Sequence, residues 1–414
     1  SLVVKQHFML RKWSDNLKLY EDWVTQIASA TPAYVYDCNM FKARIKTTIK
    51  ALAGAEFYYS MKANPFRGFI KTAVDCGIGV EVASTGEFDY AITCGAQSKS
   101  ICVAGPGKIN DINYYIKRNI GRIHCESIRE FDVASKQCKE IITDTQLALR
   151  LNPSTSIDSA ERMTGGSSRF GIDEETIIQL INDGLLQPSG FHLYQGSQIY
   201  DWHVTAEAIQ YLRNVASHSK KKGCAISYLN YGGGFGVSSS MALDSKNFDL
   251  ASLSKWWSNN LLSSEIIATE VFELGRYFAA PCGVLICKVL EVKKSRNQIF
   301  VILDGGMNVF SRPTLVGDFH DIIILDPDSE DDGIVCGPTC TPLDVIGHTD
   351  KIPREDSYVV ITNAGAYGYS MGIKHFLGHP TASEWYVSKD RDRLRLYRRN
   401  IMATEYYLSG CVSE

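Results

Sequence analysis

Eight short β-rich runs, each followed by a segment of helix length, constrain the fold more than any other feature of the chain. The runs are FYYSMKA (57–63), VEVAS (80–84), ICVAG (101–105), RIHCES (122–127), LALRLN (147–152), GFHLY (190–194), YLNYGG (228–233) and VFELG (271–275). Segments between them, such as DEETIIQLINDG, have apolar residues three to four positions apart and end in Gly or Asn. The pattern predicts an α/β chain with a closed parallel (β/α)8 TIM barrel, and a doubly wound open sheet is the alternative with the same local pattern.

The sequence after the eighth run predicts a second, β-rich domain. Strand-like runs joined by turns replace the strand-helix alternation, as in CGVLICKVLEVKKS (282–295), QIFVILDGG (298–306), SYVVITNAGAY (357–367) and EWYVSKDRDRLRLYRR (384–399). We therefore predict a barrel domain at residues 31–280 and a β-domain at residues 281–414. Residues 1–30, with a possible strand at HFML, are expected to join the β-domain.

Composition and charge exclude several classes of function. The net charge is −3 and the Lys and Arg residues are spread along the chain, which disfavours nucleic-acid binding. No run approaches the roughly 20 apolar residues of a membrane span, and the first thirty residues do not resemble a signal peptide, so we expect a cytoplasmic protein. Twelve cysteines occur without Cys-x-x-Cys spacing, which favours buried free thiols over disulfides or a metal site.

Residues at the carboxyl ends of the eight runs are the candidate site residues, because barrel enzymes build their active sites at that face. Each alone is more often a loop glycine or a surface ion pair. Their joint placement favours a site, and a Gly-rich turn after the seventh run with a Gly-Arg after the eighth suits a phosphate group. The candidates are Lys62, Glu81, Arg150, Gly196, Ser197, Gly232, Gly233, Gly234, Glu273, Gly275 and Arg276.

Lys62 and the glycine turn restrict which cofactor this predicted site can bind. The triple glycine lacks the third spaced glycine of a dinucleotide fingerprint, since Val237 stands there, so a nicotinamide enzyme is disfavoured. No acidic residue stands beside Lys62 in the sequence, and we expect it to be desolvated, without an ion-pair partner, and available as an amine nucleophile for a carbonyl group. Phosphate, aldehyde and lysine together suggest pyridoxal 5′-phosphate (PLP), with Glu273 as the carboxylate that keeps the pyridine nitrogen protonated.

Eight motifs in order resemble the fold-type III PLP-dependent decarboxylases of ornithine, arginine and diaminopimelate. They are YYSMKAN, GVEVASTGE, GPGK, GSQI, GGGFG, ELGRY, GPTCTPLD and AGAYG, and together they span most of the chain. The resemblance implies an alanine racemase-like barrel followed by a β-domain, which agrees with the count of strands.

The resemblance also implies roles for individual residues. Lys62 binds the cofactor covalently, Glu273 meets the pyridine nitrogen, Glu81 and Arg150 are polar neighbours of the cofactor, and Tyr194 replaces a histidine that stacks on its ring in many members. The phosphate contacts are Ser197, Gly232, Gly233, Gly234, Gly275, Arg276 and Tyr367. Cys340 of GPTCTPLD matches a cysteine that crosses a dimer interface to protonate the product carbanion. A homodimer follows, with Cys340 and Asp344 completing the partner's site and Arg169 pairing with Asp344 between subunits.

The substrate prediction depends on the residue after Cys340. Ornithine-type members have Asp there and diaminopimelate-type members have Glu, and that acid reads the distal ammonium group, whereas this chain has Thr341. The CTP pattern, Tyr194 and HFLGHPT (375–381) resemble members that decarboxylate a citrate-linked or carrier-protein-linked amino acid in siderophore or antibiotic pathways. Arg312, which holds a carboxylate in diaminopimelate-type members, and His320 are expected to bind substrate. Lys374, His375 and His379 are further candidates for a cationic mouth.

Three alternatives remain at this stage. One is a decarboxylase of a free diamino acid (diaminopimelate, ornithine or lysine), in which Asp318 reads the distal ammonium group. The others, from different classes, are an amino acid racemase and a non-catalytic regulatory homologue. The presence of both Lys62 and Cys340 disfavours these two.

Overall fold

The computed structural model describes residues 17–154, 161–162, 166–240, 246–262, 266–389 and 393–412. The chain forms two compact units. One comprises Lys42–Val237 with Lys246–Phe278, and the other comprises Ser1–Phe41, Ser238–Ser245 and Ala279–Glu414. The predicted strand at HFML lies outside the described residues.

The first unit contains a closed parallel barrel of eight strands. They are β2 (Glu56–Ser60), β3 (Gly79–Val82), β4 (Ile101–Val103), β5 (Arg122–Cys125), β6 (Gln146–Asn152), β9 (Gly190–His192), β11 (Tyr228–Asn230) and β12 (Thr269–Leu274). Each strand pairs in parallel with the next in chain order, and β12 pairs with β2 to close the ring. The eight predicted runs and the closed barrel are therefore confirmed. The open sheet is excluded because β5 pairs with β6 and no barrel strand is left at an edge.

The helix α2 (Cys38–Ala51) precedes the first barrel strand, and a helix follows each of the eight barrel strands. These eight are α3 (Arg67–Asp75), α4 (Thr85–Thr93), α5 (Ile112–Lys117), α6 (Ile128–Ile141), α7 (Glu174–Asn182), α8 (Trp202–Lys221), α9 (Leu250–Asn259) and α10 (Arg276–Ala279), with short 3₁₀ turns at Met61–Ala63, Ser98–Ser100 and Ala280–Cys282. The sequence determines several of the starts. At α6, the Ser127 hydroxyl accepts a hydrogen bond from the Glu130 N–H, and the Glu130 carboxylate accepts one from the Glu126 N–H.

The second unit is built on a sheet of nine strands. They are β1 (Ala33–Tyr36), β13 (Gly283–Ser295), β14 (Gln298–Leu303), β15 (Ile322–Ile324), β17 (Gly333–Cys336), β18 (Val345–Thr349), β20 (Tyr358–Ile361), β21 (Ser383–Val387) and β22 (Leu394–Arg398). Their order in the sheet is β18-β17-β14-β13-β1-β21-β22, and β20 also pairs with β13 and β15. Short strands occur at β7 (Glu161–Arg162), β8 (Ile172–Asp173), β10 (Gly196–Ser197), β16 (Pro327–Ser329) and β19 (Ile352–Pro353). The remaining helices are α1 (Leu17–Ile27), α11 (Arg312–Val316) and α12 (Ala403–Leu408), with 3₁₀ turns at Ala28–Ala30, Tyr369–Met371 and Phe376–Gly378.

The strand β1 belongs to the second sheet, although the sequence prediction assigned residues from 31 onward to the barrel. It pairs antiparallel with β13 and parallel with β21, and all four of its residues are buried. Tyr20, Trp23 and Ile27 of α1 pack with Val35 in the core of this unit. The segment is short and apolar throughout, so its sequence does not indicate which sheet it joins.

None of the helices in the part of the chain that the structure describes has the length and apolar character needed to span a bilayer.

A buried ion pair connects a loop of the barrel unit to the helix α6. The Lys108 Nζ lies 2.6 Å from Glu130 Oε2, and both side chains are almost fully buried. Lys108 also donates a hydrogen bond to the Gly105 carbonyl oxygen. Since Glu130 caps α6 as well, the pair joins the loop after β4 to the start of that helix.

We predict that Lys108→Met lowers the free energy of unfolding by roughly 3–5 kcal/mol, because it leaves the Glu130 carboxylate buried without its cation. Denaturant unfolding followed by circular dichroism measures the loss. Lys99→Met is the matched control, since Lys99 pairs with Asp144 on the surface, and its loss is expected to be far smaller. Equal losses for the two variants would contradict the prediction.

Candidate active site

The carboxylate of Glu273 lies inside the barrel and is surrounded by hydrogen-bond donors from other strands. Glu273 is 5% exposed. Its Oε1 accepts hydrogen bonds from Asn230 Nδ2 at 2.7 Å and from Cys102 Sγ at 3.3 Å. His192 Nε2 lies 3.3 Å from Oε2, and His124 Nδ1 lies 3.5 Å from Oε1. Four strands besides its own therefore contribute polar groups to one carboxylate.

These neighbours keep Glu273 ionised. Burial raises the pKa of Glu273, but His124, His192 and Lys62 outweigh burial and hold that pKa below its usual value. Burial lowers the pKa of both histidines and so favours their neutral forms. The rings stack with centroids 4.2 Å apart and an interplanar angle of 11°. An anionic carboxylate beside neutral imidazoles suits a cationic group on a ligand.

Lys62 lies in the 3₁₀ turn that directly follows β2, and its ammonium group faces Glu81 of β3. The Lys62 Nζ lies 3.0 Å from Glu81 Oε2 and 3.1 Å from Oε1. The Lys62 side chain is 43% exposed, whereas Glu81 is fully buried. Burial raises the pKa of Glu81 more than Lys62 lowers it. The expectation of a desolvated Lys62 without an ion-pair partner was wrong, because pairing Ser60 with Glu81 in the β2–β3 register brings the two side chains together.

The glycine turn after β11 has the shape of an anion-binding loop. Gly232 and Gly234 have φ values of +64° and +80°, which disfavour any other residue. A Cβ at Gly233 would lie 1.9 Å from the Glu273 carbonyl oxygen. The N–H groups of Gly233 and Gly234 have no hydrogen-bond partner among the residues that the structure describes. The predicted contact Ser197 lies on β10, and its Oγ is 3.0 Å from the Tyr194 hydroxyl.

Arg150 is buried on β6 and is held by a carboxylate that the sequence did not single out. Its Nη1 donates to Glu126 Oε1 at 2.7 Å, and Glu126 also accepts from the N–H groups of Gly105 and Gly171. The guanidinium carbon lies 4.9 Å from the centroid of the Phe170 ring and 5.8 Å from that of Tyr194. Glu126 thus connects β6 to two loops. Arg276 begins α10 directly after Gly275, as the predicted phosphate contact requires.

Other predicted residues belong to the second unit. Tyr367 is half-buried and has φ +54°. Arg312 begins α11, and its Nε lies 3.2 Å from Asp318 Oδ2. His320 is buried, contacts the Thr362 carbonyl oxygen through Nδ1 at 2.8 Å and packs against Phe310. That environment is typical of a structural histidine and does not favour the predicted substrate contact.

The loop after β17 contains Cys340, which is exposed. Thr341 is half-buried and Leu343 is 64% exposed. Asp344 is 2% exposed, and its carboxylate accepts hydrogen bonds from the Met307 N–H and from the N–H and hydroxyl of Thr339. Both carboxylate oxygens are therefore used within the same chain. The predicted ion pair between Asp344 and Arg169 of another subunit stays a prediction.

His124 and His192 are the site residues that the sequence analysis missed. Both lie within runs that were correctly identified as strands. A polar residue in an otherwise apolar strand was the available signal, because a buried histidine needs partners. Cys102, His124 and Glu273 also place three ligand atoms within 4.8 Å of one another. The sulfur of Cys102 donates to Glu273, so this group of side chains already has a hydrogen-bonding role.

These residues fit PLP. Glu273 offers a carboxylate to the pyridine nitrogen, Lys62 offers an amine to the aldehyde, and the Gly232–Gly234 turn offers N–H groups to the phosphate. His192 Nδ1 is buried and without a hydrogen-bond partner among the described residues, so a polar ligand beside it would satisfy this atom. A barrel with this site defines a class of protein, the PLP enzymes that use a TIM barrel.

Comparison with known proteins identifies the family within that class. Residues 38–280 match the family model for the pyridoxal-dependent decarboxylases, pyridoxal binding domain. The chain is 30% identical over 405 residues to L-glutamyl-(BtrI acyl-carrier protein) decarboxylase of Niallia circulans, covering 91% of this chain and 94% of the relative. It is 28% identical over 392 residues to diaminopimelate decarboxylase of Zymomonas mobilis, covering 90% and 91%.

A solved structure agrees with these sequence matches. Diaminopimelate decarboxylase from Helicobacter pylori, complexed with L-lysine, superposes with a TM-score of 0.84 at 25% identity, covering 94% of this chain and 98% of that chain. The chain belongs to the fold-type III pyridoxal-dependent decarboxylases and is a PLP-dependent amino acid decarboxylase.

We predict that Lys62 is the residue that binds the cofactor covalently. Borohydride reduction of the purified yellow protein should fix the cofactor to the peptide that contains Lys62, as detected by mass spectrometry. Lys62→Ala should lose activity by several orders of magnitude, since it lacks the amine. Lys71→Ala, on the exposed face of α3, is the control and should retain the label at Lys62. A label on another lysine would contradict the assignment.

Proposed function

We propose that this decarboxylase removes the α-carboxylate of an amino acid whose side chain is joined to a larger group, either citrate or a carrier protein. The pathway would be one of siderophore or antibiotic biosynthesis. The enzyme would act as a homodimer in the cytoplasm, with active sites shared between subunits. The alternative is a decarboxylase of a free diamino acid, and several relatives of that kind match with similar identity.

The barrel residues take the following roles in the proposal. Lys62 would hold the cofactor through its aldehyde. Glu273 keeps the pyridine nitrogen protonated, Glu81 holds the Lys62 ammonium group, and Arg150 and Tyr194 line the cofactor. The phosphate contacts are Ser197, Gly232, Gly233, Gly234, Gly275, Arg276 and Tyr367. Bound PLP supplies an electron sink that stabilises negative charge at the α-carbon as CO₂ leaves.

Cys340 is the proposed proton donor to the α-carbon, acting in the partner's active site. Its exposure is compatible with a contact to a second copy of the chain. The exposed apolar residues Leu315, Val316, Phe319 and Leu343 are further support, since such residues are enriched at interfaces between subunits. Asp344 also holds the Cys340 loop in its own chain, because its carboxylate accepts a hydrogen bond from the Thr339 N–H.

The dimer and the role of Cys340 are tested by mixing two inactive variants, Lys62→Ala and Cys340→Ala. After random exchange of subunits, about half of the dimers contain one chain of each kind, and one of their two sites is intact. Activity should therefore recover to about one quarter of that of the parent protein. Mixing Lys62→Ala with the double variant Lys62→Ala/Cys340→Ala is the control and should give none. No recovery in the first mixture would contradict shared sites.

The substrate proposal is carried by the loop Cys340–Asp344, which presents no negative charge. Thr341 occupies the position after Cys340, and the one carboxylate of the loop, on Asp344, is buried and fully hydrogen-bonded. A free diamino acid has a distal ammonium group, and burying it without a counter-ion is costly. A substrate whose side chain ends in an amide or another acyl linkage carries no distal ammonium group and has no such requirement.

Asp318, the acid that could replace the missing one, is already paired. Its carboxylate contacts Arg312, and Arg312, His320 and a hydrogen bond from Ser239 outweigh burial and lower the pKa of Asp318. To bind a substrate ammonium group, Asp318 would have to break its contact with Arg312 or contact both cations at once. The same pairing reduces the positive charge that Arg312 offers to an anionic tail, so Lys374 is the better candidate for that contact. Burial lowers the pKa of Lys374, and its Nζ lies 3.8 Å from the centroid of the Tyr369 ring.

We predict that conjugated substrates are preferred. Steady-state kinetics should give kcat/KM for citryl-diaminopropionate or carrier-linked glutamate at least about 100-fold above that for ornithine, lysine or diaminopimelate, since an unpaired buried charge costs roughly 3 kcal/mol. Thr341→Glu supplies the missing acid and should raise kcat/KM for free diamino acids about tenfold or more. Thr341→Gln is the uncharged control. A free diamino acid that exceeds both conjugates with the parent enzyme would overturn the proposal.

A further inference from the structure

A chain of hydrogen bonds runs from the glycine turn to His124, and its direction is fixed at one end. The Gly232 N–H, which can only donate, donates to Asn230 Oδ1 at 2.8 Å. The amide of Asn230 is thereby oriented, and its Nδ2 must be the group that faces Tyr228 and Glu273. Nδ2 donates to the Tyr228 hydroxyl oxygen at 2.6 Å and to Glu273 Oε1 at 2.7 Å.

The tautomer of His124 follows from this direction. The Tyr228 hydroxyl oxygen already accepts from Asn230, and its remaining partner among the described residues is His124 Nε2 at 2.7 Å. The phenol therefore donates its proton to Nε2. A neutral imidazole carries one proton, so that of His124 is on Nδ1, which lies 3.5 Å from Glu273 Oε1. The Nδ1–H group thus lies beside the carboxylate, and it has no hydrogen-bond partner among the described residues.

Burial and stacking keep His124 in this state. His124 and Tyr228 have no exposed surface. The His124 ring stacks with His192, with centroids 4.2 Å apart, and with Tyr228, with centroids 5.8 Å apart and an interplanar angle of 15°. The Arg122 guanidinium carbon lies 4.3 Å from the centroid of the Tyr228 ring. A cation beside the phenol and the dry surroundings both disfavour a second proton on the imidazole.

We infer that His124 is a positioning residue that holds Glu273 in its ionised form, and that Tyr228 and Asn230 fix its tautomer from the glycine turn. The inference rests on the proposed role of Glu273 toward the pyridine nitrogen. It gives a role to His124, Tyr228 and Asn230, none of which takes part in the decarboxylation step itself. It also connects two ends of the cofactor site, because the turn that offers N–H groups to the phosphate is the first member of the chain.

The tautomer is tested directly by nitrogen-15 NMR of protein labelled at the histidine rings, with the His124 signals assigned by their loss in His124→Asn. The measurement uses the purified protein before and after addition of PLP and involves no turnover. We expect a single neutral form with the proton on Nδ1 and a bare Nε2 between pH 6 and 8. A proton on Nε2, or a doubly protonated ring, would overturn the inference.

The effect on Glu273 is tested with two variants at His124. His124→Phe keeps a ring for stacking but removes both nitrogens, whereas His124→Asn can return an N–H close to the position of Nδ1. With PLP labelled at its pyridine nitrogen, the parent and His124→Asn should show the chemical shift of a protonated pyridine. His124→Phe should move toward the unprotonated value, and its dissociation constant for PLP should rise about tenfold, equal to about 1.4 kcal/mol.

Tyr231→Phe is the matched control for a lost buried contact in the same barrel, because the Tyr231 hydroxyl bonds to Glu270 and not to Glu273. Its pyridine shift should equal that of the parent. The inference would be overturned if His124→Phe had the same pyridine nitrogen chemical shift as the parent. It would also be overturned if His124→Phe and His124→Asn moved that chemical shift by the same amount. An unprotonated pyridine in the parent itself would instead contradict the proposed role of Glu273. If His124→Phe does not fold, the nitrogen-15 measurement of the His124 tautomer in the parent protein tests the inference.

Discussion

The buried carboxylate of Glu273 is the constraint on which the rest of the barrel site depends. A carboxylate removed from water is costly unless several donors surround it. The donors here come from β4, β5, β9 and β11, whereas Glu273 itself lies on β12. Residues from strands on opposite sides of a sheet meet in this way only when the sheet is closed. The ionised state of one residue and the closure of the barrel therefore support each other.

The sequence was sufficient to predict which residues lie at the barrel mouth. Strand order, helix spacing and the rule for the carboxyl ends of parallel strands selected Lys62, Glu81 and Glu273 without any coordinates. Their pairing was not predictable. Lys62 and Glu81 are 19 residues apart, and they meet because Ser60 is opposite Glu81 in the ladder between β2 and β3. A register shift of one residue would turn Glu81 to the other face of its strand.

Polar residues that face inward from the middle of a strand were harder to identify from the sequence than residues at strand ends. In RIHCES the histidine reads as an isolated polar residue, and its role depends on a tyrosine 104 positions away. The same limit explains the strand Ala33–Tyr36, which pairs with the distant segment Gly283–Ser295 of its own unit rather than with its neighbours in sequence. Local patterns identified the type of element in both cases, but long-range pairing determined what each element does.

In the Cys340 loop, the residue that holds the backbone in shape differs from the residues that can contact a substrate. Asp344 holds the loop through hydrogen bonds from Thr339 and Met307, and glycines at 306 and 337 leave room for its carboxylate, since a Cβ at either position would lie within 2.6 Å of it. Thr341 is half-buried and its hydroxyl accepts a hydrogen bond from the Leu343 N–H, whereas the Leu343 side chain is exposed. A change at position 341 alters the charge beside Cys340 without disturbing the hydrogen bonds of Asp344. The proposed substrate preference can therefore depend on the half-buried position 341, while the buried Asp344 carboxylate holds the loop that carries the proposed proton donor.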